Sequence, residues 1–208
     1  MAAKAVLREE DGLVVGNVEK KRDSQNPIKN FLMKDFDQSV IRLVRQTGAR
    51  SIHEVGCGEG DLAKQMPEDV AYFGSDVSNI VIDEARRKLP GRKFKVKSIY
   101  DLTPGEDSAE LVVCCEVLEH LDDPGRALET LAQLNAHFYL FSVPREPLWR
   151  ILNVCRGAYW SACGNTPGHV QHWSRRSFTK LIGRYFTICE VRSPLPWTMV
   201  LARPMDGT

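Results

Sequence analysis

The sequence predicts a single α/β domain built on a largely parallel β-sheet. Strand-like apolar segments alternate with amphipathic helical segments along residues 31–143, an order that calls for right-handed crossovers between parallel strands. The chain has 208 residues, of which 43% are hydrophobic and 26% are charged, and this composition is sufficient for one well-filled core. No apolar run approaches the ~20 residues of a membrane span, so we expect no transmembrane segment.

A polar segment, residues 1–30, precedes the first predicted helix. We expect it to form a partly mobile arm in front of a domain that covers residues 31–208. From residue 31 the apolar side chains recur at helical spacing, and Gly48 is a natural C-terminal stop. The apolar face of this first helix is formed by Phe36, Val40, Leu43 and Val44.

Seven later segments have the composition or the alternation of strands. Residues 111–117 are almost continuously apolar, as expected of a central strand that is covered on both faces. The last two segments are joined only by residues 193–196, a link that permits only antiparallel pairing. The predicted strands cover residues 51–55, 71–77, 93–99, 111–117, 137–143, 185–192 and 197–203.

Helices are expected between these strands. A short one is predicted at about residues 60–66, directly after the first strand. Ser78, Asp123 and Ser174 are residue types that favour the N-cap position of later helices, and Pro124 suits the first helical residue. The sequence therefore predicts helices that begin close to residues 79, 124 and 175.

A glycine-rich loop follows the first predicted strand. Its glycines let the backbone turn sharply and let a ligand approach closely, and Asp76, which ends the next strand, suits the hydroxyl groups of a ribose. Acidic residues surround the loop, which disfavours a pyrophosphate and favours a cationic ligand. S-adenosylmethionine has a ribose, no phosphate, a sulfonium and an ammonium group. The acids in question are Glu54, Glu59 and Asp61.

Three motifs carry a resemblance to a known family. They are Glu54-Val-Gly-Cys-Gly-Glu-Gly60, Gly74-Ser-Asp-Val-Ser78, and Cys115-Glu-Val-Leu-Glu-His-Leu121 followed by Asp123-Pro124. Together they resemble class I S-adenosylmethionine-dependent methyltransferases over about residues 45–204, most closely the type 11 subtype of ubiquinone and menaquinone biosynthesis. The resemblance implies a Rossmann-like, doubly wound sheet of seven strands in the order 3-2-1-4-5-7-6, with strand 7 antiparallel.

The resemblance also implies an activity and a set of cofactor contacts. The activity is methyl transfer from S-adenosylmethionine to an O, N or C atom of a small molecule, with S-adenosylhomocysteine as the product. Asp76 would hold the ribose and Glu54 the methionine amine, and Ser98 would lie beside the adenine unless it is an ordinary strand-end serine. The implied contacts are Glu54, Gly56, Cys57, Gly58, Gly60, Asp76, Val77, Ser98, Ile99, Cys115 and Glu116.

Residues 144–173 interrupt the alternating pattern and are rich in proline, glycine and aromatic residues. A connection of this length is usually functional, so we interpret it as a lid over the acceptor pocket, or else as a loop that packs its own aromatic residues. The candidate catalytic residues are His120, His169 and His172, although His120 is as readily explained as a residue that fixes a turn. The candidate acceptor contacts are Tyr159, Trp160 and Trp173.

Other functions and sites are less well supported. The spacing of Cys155, Cys163, His169 and His172 fits no familiar zinc pattern, so we expect no metal site. A net charge of +1 weighs against a nucleic-acid methyltransferase, and the intact glycine loop weighs against a non-catalytic binding module. The cysteines lack disulfide-like or Cys-x-x-Cys spacing, which favours a cytoplasmic protein. The oligomeric state is left open.

Overall fold

The structure is a computed structural model that describes residues 26–155, 159 and 162–205, together with the backbone of 9–10 and 13–14. The latter two segments form a short antiparallel pair, Glu9–Glu10 with Leu13–Val14. Most of the predicted arm, and Trp160, lie outside the described residues. Within the described part of the chain, no helix is long and apolar enough to cross a membrane.

One mixed sheet organises the domain, and its topology confirms the prediction. Numbered in chain order, its seven strands run β3-β2-β1-β4-β5-β7-β6 across the sheet. The pairs among β1 to β5 are parallel, whereas β7 is antiparallel to both β5 and β6. The strands are β1 Ser51–Val55, β2 Ala71–Asp76, β3 Lys93–Val96, β4 Leu111–Cys115, β5 Phe138–Pro144, β6 Phe186–Arg192 and β7 Trp197–Pro204.

In the part of the chain that the structure describes, six α-helices lie between or before these strands. The caps of α2, α4 and α6 confirm the sequence prediction, because Ser78, Asp123 and Ser174 each accept a hydrogen bond from a backbone N–H of the following turn. The helices are α1 Pro27–Thr47, α2 Asn79–Lys88, α3 Pro104–Asp107, α4 Pro124–Gln133, α5 Leu148–Cys155 and α6 Arg175–Ile182.

Several elements differ from the prediction at their boundaries. Strands β2, β3 and β4 end earlier than predicted, at Asp76, Val96 and Cys115. Helix α1 begins at Pro27 instead of residue 31, because the Asn26 side chain accepts hydrogen bonds from the backbone N–H groups of Ile28 and Lys29. The predicted helix at 60–66 is reduced to a 3₁₀ turn, Ala63–Gln65. Three glycines precede this turn with positive φ angles, and a backbone in that conformation cannot enter an α-helix directly.

The sheet has a separate apolar core on each face. Helices α1 and α2 cover one face, where Leu43 and Ile82 are fully buried together with Ile52 of β1. Helices α4 and α6 cover the other face. The central strands β1 and β4 are thus buried on both sides, as apolar central strands require, whereas the edge strand β3 is partly exposed. All five parallel strands present their carboxyl ends at one edge of the sheet.

Candidate functional site

The glycine loop after β1 has a backbone that only glycine adopts easily. Gly56, Gly58 and Gly60 have φ angles of 74°, 51° and 79°, in the left-handed region. A Cβ atom on Gly56 would lie 2.2 Å from a methyl group of Val117, whereas a Cβ on Gly58 would meet no atom within 4 Å. The loop is therefore closed at Gly56 against the turn that follows β4 and open at Gly58, where a ligand can approach the backbone.

Asp76 holds this loop in place from the end of β2. Its Oδ2 accepts a hydrogen bond of 3.0 Å from the backbone N–H of Gly58, and its Oδ1 accepts one of 3.1 Å from that of Ser78. The next side chain, Val77, is 47% exposed despite being apolar. A carboxylate and an exposed apolar side chain are therefore adjacent to the open part of the loop.

The three acids around the loop have different environments. Glu59 forms an ion pair with Lys88, and Asp61 forms one with Lys64 at 3.3 Å. Glu54 is buried, and its Oε2 accepts a 2.5 Å hydrogen bond from the hydroxyl of Tyr72. Glu54 is thus the acid that lies inside the protein at the base of the loop.

Ser98 and Ile99 follow the third strand, as the resemblance requires, but both have local roles. The Ser98 hydroxyl accepts a 3.3 Å hydrogen bond from the backbone N–H of Tyr100, so it caps the 3₁₀ turn Ile99–Asp101. The Ile99 side chain is buried in the core beneath helix α4. A contact with an adenine at this position would use the backbone or the remaining capacity of the hydroxyl.

Glu116 is held in an uncommon conformation directly after β4. Its φ angle is 60°, which is unfavourable for a residue with a Cβ. Its carboxylate accepts hydrogen bonds from the Ser142 hydroxyl at 2.9 Å and from the Trp197 indole N–H at 2.7 Å. Three strands, β4, β5 and β7, therefore fix this carboxylate at the carboxyl edge of the sheet.

The cysteines at this edge are not nucleophiles. Cys57 lies in the glycine loop, and Cys115 ends β4 beside Glu116. Burial raises the pKa of each thiol far above its usual range, and the nearby negative charge of Glu54 adds to the effect. Both side chains pack in the apolar core on the face of the sheet that α1 and α2 cover, where they act as small apolar groups.

Two of the three candidate histidines lie together. The rings of His120 and His169 meet edge to face, with centroids 4.8 Å apart. His120 Nδ1 lies 2.9 Å from the carbonyl oxygen of Gly168, and His120 Nε2 lies 4.0 Å from a carboxylate oxygen of Glu119. In the neutral ring the Nδ1–H donates to this carbonyl, which leaves Nε2 as the basic nitrogen. His172 is exposed and contacts Asn165 at 2.8 Å, outside this cluster.

The segment 144–173 is attached to the turn that carries Glu119 and His120. The backbone N–H groups of Val170 and Gln171 both donate to the carbonyl oxygen of Glu119, at 2.9 and 3.1 Å. The ends of the segment are also joined, because Glu146 N–H donates to the Trp173 carbonyl at 2.9 Å. Trp173 packs against Phe178 of α6, away from the histidines, and Tyr159 is half-buried.

Aromatic residues that were not predicted as site residues form one wall of this region. Trp149 of α5 stacks near His169, with centroids 6.1 Å apart, and also contacts Trp197 of β7 at 5.7 Å. Trp197 in turn contacts Phe36 of α1 at 4.8 Å. These residues are distant in sequence and follow no motif, so only the tertiary fold brings them together.

One group among the described residues has metal-ligand chemistry. Ligand atoms of Glu119, His120 and His169 all lie within 4.8 Å of one another. Cys155 and Cys163, considered and rejected from the sequence, are both exposed. Glu119 was not predicted as a site residue, although its position directly before His120 in an apolar turn is a signal that could have been used.

Comparison with known proteins identifies the family. Residues 29–185 match the profile of a family described as a methyltransferase domain. A ubiquinone biosynthesis O-methyltransferase of Bordetella avium is 35% identical over 105 residues, which cover 46% of this chain and 42% of that protein. The chain thus spans less than half the length of this curated relative.

Solved structures share the fold. The N-methyltransferase NodS of Bradyrhizobium japonicum, in complex with S-adenosyl-L-homocysteine, matches with a TM-score of 0.67 and 18% identity, over 89% of this chain and 91% of that one. The small RNA methyltransferase HEN1 matches with a TM-score of 0.65 and 18% identity, over 85% of this chain and 26% of that one. Because the family profile covers most of the chain, this protein belongs to the methyltransferase-domain family, whose cofactor is S-adenosylmethionine and whose fold it shares.

Proposed function

We propose that this protein transfers the methyl group of S-adenosylmethionine to a small-molecule acceptor by in-line displacement. The observation that carries the proposal is the joint placement of Gly58, Asp76 and Val77 at the carboxyl edge of the sheet, where open α/β sheets bind their ligands. The open space at Gly58 leaves room for the cofactor, the Asp76 carboxylate suits its ribose hydroxyls, and Val77 offers an apolar surface for adenine.

The remaining cofactor contacts follow from the geometry of the loop. Glu54 would bind the ammonium group of the methionine part, and the backbone around Cys115 and Glu116 would enclose the same part from β4. The cofactor supplies an electrophilic methyl group on a sulfonium. The protein's contribution is to align the acceptor with that methyl group and to exclude water from the cleft.

We assign the acceptor side to the cluster of Glu119, His120 and His169. The fixed tautomer of His120 places the proton on Nδ1, so Nε2 can take a proton from an acceptor hydroxyl. The Gly168 carbonyl would stabilise the imidazolium that forms. The segment 144–173 would cover the cleft as a lid, and its attachment to Glu119 supports that role. The remaining candidates for acceptor contacts are Tyr159, Trp160, Trp173 and His172.

The same cluster has a second candidate role as a site for a divalent cation. The ligand atoms of Glu119, His120 and His169 lie within 4.8 Å of one another, so shifts of about 1 Å would bring them to one metal ion. His120 donates its Nδ1–H to a carbonyl, a partner that metal-bound histidines commonly have. A cation there would bind an acceptor oxygen and favour its deprotonated form.

The relatives support two classes of acceptor. The name of the curated relative, a ubiquinone biosynthesis O-methyltransferase, favours a small molecule with a hydroxyl group, whereas the likeness to the small RNA methyltransferase HEN1 favours nucleic acid. The net charge of +1 supports the small molecule. The free thiol state of all six cysteines supports a reducing, cytoplasmic location as part of this proposal.

Calorimetry tests the cofactor site. Wild-type protein should bind S-adenosylhomocysteine, and Asp76→Ala should weaken that binding by about 2–4 kcal/mol if two hydroxyl contacts are lost. Asp83 of α2, which is exposed and pairs with Arg86 on its own helix, provides the control: Asp83→Ala should bind like wild type. Unchanged affinity in Asp76→Ala would refute the ribose assignment.

Activity assays test the acceptor side. Transfer of a labelled methyl group from S-adenosylmethionine to a small-molecule extract should survive ribonuclease treatment, and its loss would favour an RNA acceptor. Activity that survives EDTA favours the base role of His120, and activity that is lost with EDTA and restored by Mg²⁺ or Zn²⁺ favours the cation.

A further inference from the structure

We propose that Tyr72 is a positioning residue that fixes the Glu54 carboxylate for the ammonium group of S-adenosylmethionine. The inference rests on the proposed function, in which Glu54 faces the methionine part of the cofactor. It concerns a residue of β2 that belongs to none of the three motifs, since Tyr72 precedes the second motif by two positions.

The register of the sheet explains how Tyr72 reaches Glu54. Glu54 of β1 lies opposite Gly74 of β2 in the parallel ladder, and Tyr72 shares a face of β2 with Gly74 because side chains alternate along a strand. Gly74 leaves the space beside Glu54 empty of its own side chain. The Tyr72 hydroxyl fills that space: a Cβ on Gly74 would lie 2.9 Å from this oxygen and 2.8 Å from the sulfur of Cys57.

The hydrogen bond between the two side chains is short and buried. Tyr72 is 6% exposed and Glu54 is 5% exposed, and the hydroxyl donates to Oε2 over 2.5 Å. A hydrogen bond to a buried charged group is stronger than one between neutral groups. Burial, and then the negative charge of Glu54, raise the pKa of the Tyr72 phenol far above its ordinary value, so the phenol stays protonated and remains a donor at neutral pH.

The position of the hydroxyl is fixed by contacts around the tyrosine ring. The Arg92 guanidinium lies 5.5 Å from the ring centroid, and it is itself held by hydrogen bonds of 3.0 Å to the carbonyl oxygens of Met66, Pro67 and Val70. Phe94 meets the ring edge-on at 6.0 Å. A phenylalanine ring at this position would keep these contacts. Removal of the hydroxyl would therefore change only its hydrogen bond to Glu54.

This separation of ring and hydroxyl gives the inference its test. In Tyr72→Phe, the ring and its packing are retained, and the donor to Glu54 is lost. We expect the dissociation constant of S-adenosylhomocysteine to rise by about tenfold or more. The ligand 5′-methylthioadenosine has the adenine and ribose but lacks the amino acid, so its contacts do not include Glu54. Its dissociation constant should therefore stay within about twofold of the wild-type value.

Tyr139→Phe is the matched control. Tyr139 of β5 is also fully buried, and its hydroxyl accepts a 3.0 Å hydrogen bond from the backbone N–H of Ala136, in the core beneath α4. Its substitution removes the same atom from a comparable environment, so it should change neither ligand's affinity. Binding of methylthioadenosine to Tyr72→Phe also shows that this variant is folded.

Two results of this binding experiment overturn the inference. Unchanged affinity of Tyr72→Phe for S-adenosylhomocysteine would show that the hydroxyl does not position Glu54, and equal weakening of both ligands would show a purely structural role. If wild-type protein binds neither ligand, the proposed function fails first and the inference fails with it.

A second measurement uses wild-type protein in which the tyrosines carry ¹³C at Cζ. The Tyr72 resonance should shift on addition of S-adenosylhomocysteine and not on addition of methylthioadenosine. The absence of this difference would also overturn the inference.

Discussion

The stability of this domain should fall in mild acid because of one buried histidine beneath the glycine loop. His53 of β1 is fully buried, and burial lowers its pKa from 6.5 to about 4. Its Nδ1 lies 2.8 Å from the Asp107 carbonyl oxygen and its Nε2 lies 2.8 Å from the Ser75 hydroxyl. The neutral ring satisfies both partners by donating from Nδ1 and accepting at Nε2.

The sign and size of the effect follow from these two pKa values. The folded state binds fewer protons at His53 than the unfolded chain, so the free energy of unfolding decreases as the pH falls from about 6.5 towards 4. Between pH 7.5 and pH 5 the loss from this residue alone is about 2 kcal/mol. Burial by itself would raise the pKa of the adjacent Asp107, but hydrogen bonds from Lys95 and Lys97 lower it to about 2, so this carboxylate stays ionised across that interval.

Urea denaturation at pH 7.5 and pH 5 measures the effect. In His53→Gln the difference between the two pH values should shrink by about 2 kcal/mol, whereas His137→Gln, at an exposed position, should keep the wild-type difference. An identical pH dependence in wild type and His53→Gln would refute the reasoning. Ser75, which contacts His53, also holds the glycine loop. Its carbonyl oxygen accepts hydrogen bonds from the backbone N–H groups of Gly56 and Cys57 at 2.8 and 3.0 Å.

Three further predictions address the site. Gly56→Ala should lower the melting temperature more than Gly58→Ala. Both glycines have positive φ angles, but only a Cβ atom at Gly56 would collide with Val117. Equal decreases in melting temperature would show that Val117 moves aside. Trp197→Phe removes the indole donor to Glu116 and should reduce the free energy of unfolding by about 1–2 kcal/mol in urea titrations; no loss would mean that Ser142 suffices. His120→Ala removes the proposed base and should lower turnover by about 100-fold, while calorimetry should find unchanged affinity for S-adenosylhomocysteine. His137→Gln is the control, and full turnover in His120→Ala would exclude His120 as the base.

The sheet could be predicted from the sequence because its signals are local. Each parallel strand has either a short apolar run, as in β4, or an alternation of polar and apolar residues, as in β3. The antiparallel direction of β7 follows from the brief link 193–196. The caps at Ser78 and Ser174 are equally local. The predicted start of α1 was wrong because residues 27–30 lack an apolar face. Asn26 as the N-cap and Pro27 in the first turn mark the true start, and the spacing of apolar residues does not reveal them.

The proposed acceptor side could be predicted only in part, because it depends on contacts between distant residues. His120 and His169 were candidates, yet their meeting depends on how residues 144–173 return to the turn after β4. His172 looked equivalent to His169 in sequence, but it lies three residues further along and is exposed. Trp197 and Tyr72 carry no motif, and their contacts with Glu116 and Glu54 follow from strand order and register alone.

Local sequence signals predict the cofactor side of the proposed site, whereas contacts between distant residues form its acceptor side. The residues proposed to hold the cofactor lie within the motifs after β1, β2 and β4, so the cofactor side follows from short stretches of chain. The residues proposed to hold the acceptor come from the turn after β4 and from the 144–173 segment. Changes in that segment can alter the acceptor pocket without disturbing Gly58 or Asp76. A family that shares the first set can therefore differ in the second, which is why the acceptor must be sought around His169 and Trp149 and not in the glycine loop.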